Sequence, residues 1–264
     1  MRCNSDRQDR EDGRNQPPVS RESAPRNTHN KVYALLRARL DGGKVLDMPC
    51  GSGAFLRRLL DSPFEGWGAD IAPHPAIPEE AAFTLADMNE PLPFDDGDFD
   101  AVVSIEGIEH IRRPFDFVNE CARILKPGGL LILTTPNISA LRSRWRWLLT
   151  GFHHKGACPL DENDPLPRHH INLLSYPQIR YIFHTAGLRI EHRDTNRVKA
   201  ASWLYLPLAP LTRLITRWVL WRGAKNDALA ALNREVAREM YSLPVCFGEN
   251  IILIARKEWV QEKA

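Results

Sequence analysis

The chain has 264 residues, of which 43% are hydrophobic and 26% charged, with a formal net charge of +2. That length holds one large domain or a domain with an insertion, and the near balance of charge gives no argument for nucleic acid, DNA included. Five scattered cysteines (Cys3, Cys50, Cys121, Cys158, Cys246) form no CxxC pair, which argues against a zinc ribbon or disulfide framework and points to a reducing, cytoplasmic setting.

Residues 1–28 carry many charges of both signs and almost no aliphatic side chains. Such a stretch cannot bury enough apolar surface to offset ordering, so a disordered tail is expected, and no apolar run marks it as a secretory signal. Residues 29–264 then form the domain. "NKVYALLRARL" (30–40) has helical apolar spacing, and "KVLDMP" (44–49) reads as a buried strand. A glycine turn opens a helix from 53 to 60. Further strands are expected at 66–71, 83–88, 99–105 and 130–137, with an amphipathic helix at 114–125 stopped by "KPGG". A helix near 176–185 precedes strands at 188–194 and 249–257. About 50 residues separate those last two strands, so 198–245 is read as an insertion. Strands that are nearly unbroken apolar runs, alternating with helices, indicate a doubly wound α/β sheet covered on both faces. The expected sheet has seven strands and is mixed, with the last strand antiparallel.

Ligands of such sheets bind at the carboxyl ends of the strands. There the sequence places Asp47, Asp70, Asp87, Ser104 with Glu106, and Thr135 with Asn137. Glycines at 51 and 53 allow close backbone approach to a ligand. Leu56 stands where a dinucleotide fingerprint needs its third glycine, and no Gly-Lys-Ser/Thr ending marks a P-loop. A carboxylate at Asp47 repels phosphate and attracts an ammonium. Asp70 is placed to accept from a ribose diol, and Asp87 from an adenine amino group. Ammonium, ribose and adenine without phosphate describe S-adenosylmethionine.

The segments "VLDMPCGSG", "GADIAP", "LADMNEPLPFDDGDFDAVVSIEGIEHI" and "ARILKPGGLLILTTPN" together resemble the core of the class I S-adenosylmethionine-dependent methyltransferases, in particular the type 11 group. The resemblance implies a Rossmann-like fold and cofactor contacts at Asp47, at the turn Pro49, Cys50, Gly51, Ser52 and Gly53, at Asp70 and Ile71, at Asp87 and Met88, and at Ser104. Pro49 departs from the family, which usually has a glycine there. Proline donates no hydrogen bond, so the close approach falls to Gly51 and Gly53.

Methyl transfer to a hydroxyl needs a proton acceptor, and the histidines near the strand ends, His110, His169 and His170, are the candidates, His110 and His170 foremost. The pattern "EGIEH" (106–110), with "HINLLS" (170–175), is similar to the metal-using quinone-biosynthesis O-methyltransferases and small-RNA 2′-O-methyltransferases. By that likeness Glu106, Glu109, His110 and His170 would hold one divalent ion. The favoured reading is without metal, with these groups lining the pocket or bracing the strand end. His153 and His154 are read as solvated loop residues.

"WLYLPLAPLTRLITRWVLWR" (203–222) is interrupted by two prolines and three arginines, so it does not read as a membrane span. Leu211, Leu214, Ile215 and Trp218 share one helical side. This suits either an apolar cap over the acceptor pocket, which is preferred, or a peripheral membrane helix, with a dimer interface as a third reading. In 226–240, Leu229, Leu232, Val236 and Met240 are expected to face inward. The expected activity is methylation of a hydroxyl on a small, lipid-linked or glycan-linked acceptor. RNA is the alternative acceptor, and a cofactor-binding scaffold without turnover is the alternative class.

Overall fold

A computed structural model describes residues 22–154, 160, 162–163 and 169–258. Cys3, Cys158 and the first 21 residues of the expected tail lie outside the described residues.

The helix α1 (Thr28–Arg37) precedes the strand β1 (Gly43–Asp47), followed by α2 (Ala54–Leu60), β2 (Phe64–Asp70), β3 (Ala82–Leu85) and β4 (Phe99–Ile105). A short 3-10 turn (Ile108–His110) leads to α3 (Pro114–Ile124), β5 (Leu125–Pro136) and α4 (Leu141–Thr150). After α5 (Tyr176–Thr185) and β6 (Leu188–Thr195) come a 3-10 segment (Ala200–Tyr205), α6 (Leu208–Arg222), α7 (Asp227–Met240), α8 (Leu243–Phe247) and β7 (Asn250–Lys257). The helical insertion before the last strand is therefore present. α3 stops before "KPGG" as expected, and the next strand starts earlier than the expected residue 130. "KPGG" belongs to the start of β5.

The seven strands form one sheet in the order β3-β2-β1-β4-β5-β7-β6. β7 runs antiparallel to β5 and β6, and the pairs among β1 to β5 are parallel. The chain leaves β1 toward β2 and returns on the other side of β1 to make β4. The crevice at that reversal, outside the carboxyl ends of β1 and β4, is where such sheets bind ligands.

Alternation along each strand feeds two cores. Val102, Leu131, Leu133 and Leu253 pack on one face with Phe117, Val118 and Phe183. Val103, Ile132 and Ile254 pack on the other with Val32, Leu36, Phe55 and Leu59. The local signals for the helices are plain. Pro114 sits in the first turn of α3, where its missing N–H costs nothing. Ser175 and Gln178 close a capping box at the start of α5.

The insertion is tied down by charge. Glu239 of α7 is buried. It accepts from Tyr176 Oη at 2.8 Å, Arg180 Nε at 2.9 Å and an Arg193 guanidinium nitrogen at 3.1 Å. The expected inward residues of α7 are only partly so: Leu229, Val236 and Met240 are half-buried and Leu232 is exposed, while Ala237 and Glu239 take the buried positions. The helix is held by this ion network together with the packing of Ala237 and Met240.

Candidate active site

β1 delivers Asp47 to the sheet edge, and the chain then turns through residues 48–53. Gly51 (φ 51°) and Gly53 (φ 75°) adopt the left-handed backbone that glycine enters without steric cost. Gly53 caps α2. Asp70, ending β2, fixes the turn: its carboxylate accepts from Gly51 N at 2.8 Å and from Ile71 N at 2.7 Å.

Asp47 is 1% exposed. The Leu56 amide donates to its carboxyl group, but burial, helped by the nearby Asp70, still pushes its pKa well above the usual carboxylate range. Its Oδ2 is buried and has no hydrogen-bond partner in the protein. A buried carboxylate oxygen without a donor is costly unless a ligand completes it. The same surroundings raise the Cys50 thiol, chiefly through burial and then through Asp47 and Asp70, so Cys50 stays protonated.

A cleft of about 620 Å³ opens above this turn. Its walls include Asp47, Pro49, Cys50, Gly51 and Ser52 from the first turn, Asp70 and Ile71 from the second, and Asp87 and Met88 from the third. β3 stops at Leu85, so Asp87 lies just past the strand. Its Oδ1 accepts from Asn89 N at 2.8 Å and Asn89 Nδ2 at 3.0 Å, which fixes its direction. His110 and His170 line the same cleft.

Two expected contacts fall elsewhere. Gly53 caps α2 and is not on the wall. Ser104 is fully buried, and its hydroxyl has no hydrogen-bond partner. Side chains alternate along β4, so Ser104 shares the core face of Val102 while Ile105 reaches the cleft. The departure at Pro49 is compensated by Gly107, which the sequence reading did not single out. A Cβ on residue 107 would lie 2.5 Å from Pro49 Cδ and 3.1 Å from Met88 Cε.

The N-terminal side was also missed. Ser23, Ala24, Pro25 and His29 line the cleft, although residues up to 28 were expected to be disordered. His29 packs edge-on against Phe55 with ring centroids 5.8 Å apart. Its burial lowers its pKa, partly offset by Glu22. The signal available was "NTHN" (27–30), which continues the helical pattern of 30–40 backwards.

The histidines are positioned by backbone. His110 Nδ1 lies 3.0 Å from His169 O. A carbonyl only accepts, so Nδ1 carries the proton and the lone pair lies on Nε2. The Asn172 amide donates to Glu109 O at 2.9 Å, and Asn172 Nδ2 donates to Ile111 O. These bonds carry His170 to His110, with ring centroids 4.8 Å apart. Glu109, His110 and His170 bring possible ligand atoms within 4.8 Å of one another.

Glu106 does not join that group. It sits in the left-handed region (φ 53°), and its carboxylate accepts from Thr134 Oγ1 at 2.8 Å and from Asn250 Nδ2. It braces β4, β5 and β7 at the cleft floor. The four-residue metal set suggested by the sequence thus reduces to three. His153 is not simply solvated either: its Nδ1 lies 3.1 Å from Ser143 Oγ, and its ring stacks on Trp147.

The family model described as "Methyltransferase domain" matches residues 21–193. The chain belongs to this family. S-adenosylmethionine is the cofactor of such a domain, and the partnerless Oδ2 of Asp47 suits its ammonium. A Mycolicibacterium smegmatis protein named "Probable S-adenosylmethionine-dependent methyltransferase" is 33% identical over 113 residues, covering 41% of this chain and 44% of that protein. A Cereibacter sphaeroides ubiquinone biosynthesis O-methyltransferase is 32% identical over 131 residues, covering 43% of this chain and 53% of the relative. The chain thus spans about half the length of the curated relatives it matches.

Among solved structures, a SAM-dependent methyltransferase from Archaeoglobus fulgidus aligns with a TM-score of 0.54 at 18% identity, covering 87% of this chain and 92% of that one. A Haloferax volcanii structure, a complex of the Trm112 methyltransferase activator and a methyltransferase, aligns with a TM-score of 0.53 at 23% identity, covering 89% and 90%. At these identities the likeness concerns the fold alone.

Among the described residues, none from 198–245 lines the cleft. The insertion is therefore not the cap that was expected over this pocket. No described helix is long and apolar enough to cross a membrane.

Proposed function

We propose that this protein transfers the methyl group of S-adenosylmethionine to a hydroxyl oxygen of a small or lipid- or glycan-linked acceptor, in the cytoplasm. The observation that carries the reading is the cleft itself. The three acids, the glycine turn and His110 all line it, and the His110 ring turns Nδ1 to the His169 carbonyl, which leaves Nε2 as its proton acceptor. The 32% identity to a ubiquinone biosynthesis O-methyltransferase supports oxygen as the methylated atom. Three buried free thiols, Cys50, Cys121 and Cys246, suit a reducing compartment.

When bound, the cofactor supplies an electrophilic methyl on a sulfonium. In this reading Asp47 pairs with the ammonium, Asp70 accepts from the ribose diol, and Asp87 orients the adenine with Met88 against its ring. Ile71 and the turn 49–52 shape the nucleoside side. The acceptor oxygen would take the methyl as the sulfonium leaves as a neutral thioether, and His110 Nε2 would accept the hydroxyl proton. His170 packs against the His110 ring and helps hold it toward the acceptor. Positioning supplies much of the rate, and the base supplies the rest.

The experiment is turnover with a panel of phenolic and lipid-linked hydroxyl acceptors, in wild type and His110→Gln. The variant should lose about 100- to 10,000-fold in kcat while S-adenosylhomocysteine affinity holds. Equal turnover in the two proteins removes His110 as the base.

A second reading is favoured by the close approach of Glu109, His110 and His170. One carboxylate and two imidazoles are a sound donor set for a divalent ion, which would bind and acidify the acceptor hydroxyl. Chelation would then abolish turnover and an added divalent ion would restore it, whereas the base reading expects full activity in chelator.

A further inference from the structure

The amphipathic helix α6 is docked with its polar side inward. Thr216 shares a 2.9 Å hydrogen bond with the Tyr241 hydroxyl, and Asn233 Nδ2 donates to Leu220 O. Thr212 and Thr216 are half-buried, and α6 has no buried residue. Its apolar side faces outward: Leu211, Leu214, Ile215 and Trp218 are each more than half exposed. A surface helix of a closed domain shows the opposite arrangement.

Two further observations bear on what covers this face. First, α6 and α7 enclose a groove walled by Arg213, Arg217, Arg234 and Arg238, with Trp218 and Trp221 at its side. No carboxylate among the described residues pairs with these four arginines. From Arg197 to Asn226 the chain has six basic residues and no acidic one. Second, α4 packs against the 3-10 segment preceding α6 and exposes Trp145, Trp147, Leu148 and Leu149, while its half-buried Arg144 turns inward to Ser139 O and the Tyr241 ring.

We infer that the α4–α6 surface docks on an anionic lipid bilayer, with the apolar side chains entering the interface and the arginine groove taking lipid phosphates. Exposed tryptophan and leucine beside unpaired arginines is the chemistry such an interface rewards. A second copy of the same face fits poorly, because an isologous contact sets basic residues against basic ones. Nucleic acid would use the arginines but gains nothing from exposed leucines and isoleucine. The surface is also well placed. β7 begins at Asn250, paired with Pro136 at the end of β5, and Asn250 bonds Glu106 at the cleft floor. The insertion therefore enters at the carboxyl edge that holds the cleft. This rests on the proposed activity only for its purpose, since docking can be measured without turnover.

The test is co-sedimentation of the full chain with phosphatidylcholine vesicles, with and without about a quarter phosphatidylglycerol. Sedimentation is expected with the anionic vesicles and should weaken steeply with salt. Arg217→Ala and Arg238→Ala should each weaken binding roughly fivefold, and Leu214→Ser with Trp218→Ser should lower it at least as far. S-adenosylhomocysteine binding by each variant checks that the fold is intact, because none of these residues lines the cleft. Absence of sedimentation of the intact chain overturns the inference. So does sedimentation indifferent to these substitutions, or a dimer in sedimentation velocity that the same substitutions dissolve.

Discussion

Asp47→Asn tests the cofactor side most sharply, because the two states of the site should respond in opposite directions. In the unliganded protein the carboxyl is buried, takes one amide from Leu56, and leaves Oδ2 without a donor. Asparagine keeps an oxygen for the Leu56 amide and removes the ionisable group. The unliganded variant should therefore be at least as stable as wild type. In the proposed complex the carboxylate would face an ammonium inside a desolvated site, and loss of one partner of such a pair costs about 2 to 5 kcal/mol. The lower end corresponds to roughly a thirtyfold loss of affinity. The pH dependence follows from the direction of the pKa. A carboxyl whose pKa is higher folded than unfolded holds more protons in the folded state. Its contribution to stability is present below the ordinary carboxyl pKa and is lost as pH rises through the raised value. Pairing with an ammonium favours the ionised form, so cofactor affinity should rise with pH across that same window. Asp47→Asn should flatten both slopes. The assays are calorimetric titration with S-adenosylhomocysteine and urea unfolding without ligand, each as a function of pH. Affinity within threefold of wild type, or a loss of more than about 1 kcal/mol of unliganded stability, would refute the assignment and make Asp47 a structural acceptor.

Three other substitutions probe separate parts of the edge. Gly107→Ala puts a Cβ 2.5 Å from Pro49 Cδ; overpacking of this kind costs about 1 to 3 kcal/mol, and both urea unfolding and cofactor titration should register it. An unchanged affinity would separate Pro49 from the cofactor turn. Asp70→Ala removes the acceptor of two backbone amides as well as the proposed diol contact, and S-adenosylhomocysteine affinity should fall about a hundredfold; an unchanged titration takes Asp70 out of the site. Glu239→Gln leaves Arg193 facing a neutral amide and Arg180 with Glu235 as its remaining carboxylate, so urea unfolding should show a loss of about 1 to 3 kcal/mol, whereas no measurable loss would mean that Glu235 and solvent already satisfy the network.

The centre of the sheet was legible because β1, β4, β5 and β7 carry nearly continuous apolar runs, and the strand-end acids follow short apolar stretches. Asp47, Asp70 and Asp87 could be placed from that pattern alone. Ser104 could not. A strand-end residue is one of two alternating faces, and nothing local says which face the last turn of the ladder exposes. Gly107 was illegible for a related reason. Its constraint is the Pro49 ring, 58 positions away in the chain, and only tertiary contact reveals it. The cleft's N-terminal wall was lost because composition judged residues 22–28 by their few aliphatics, yet Pro25, Thr28 and His29 are held by backbone bonds and by Phe55.

The insertion shows the limit most clearly. An amphipathic period tells that a helix has two faces, and burial is then assigned to the apolar one by default. In α6 the default fails because the neighbouring surface is polar. Tyr241 and Asn233 offer hydrogen-bonding groups, and α7 is already fastened to the sheet through Glu239. With α7 secured by that ion network, the protein gains little by burying leucines against it and satisfies the threonines instead. The apolar face is then free for something outside the chain. The same residues that sequence periodicity casts as a lid over the acceptor are thus presented to the surroundings, at the carboxyl edge of the sheet that holds the cleft. A protein that meets its acceptor at a lipid surface needs that arrangement, and a sealed pocket would not provide it.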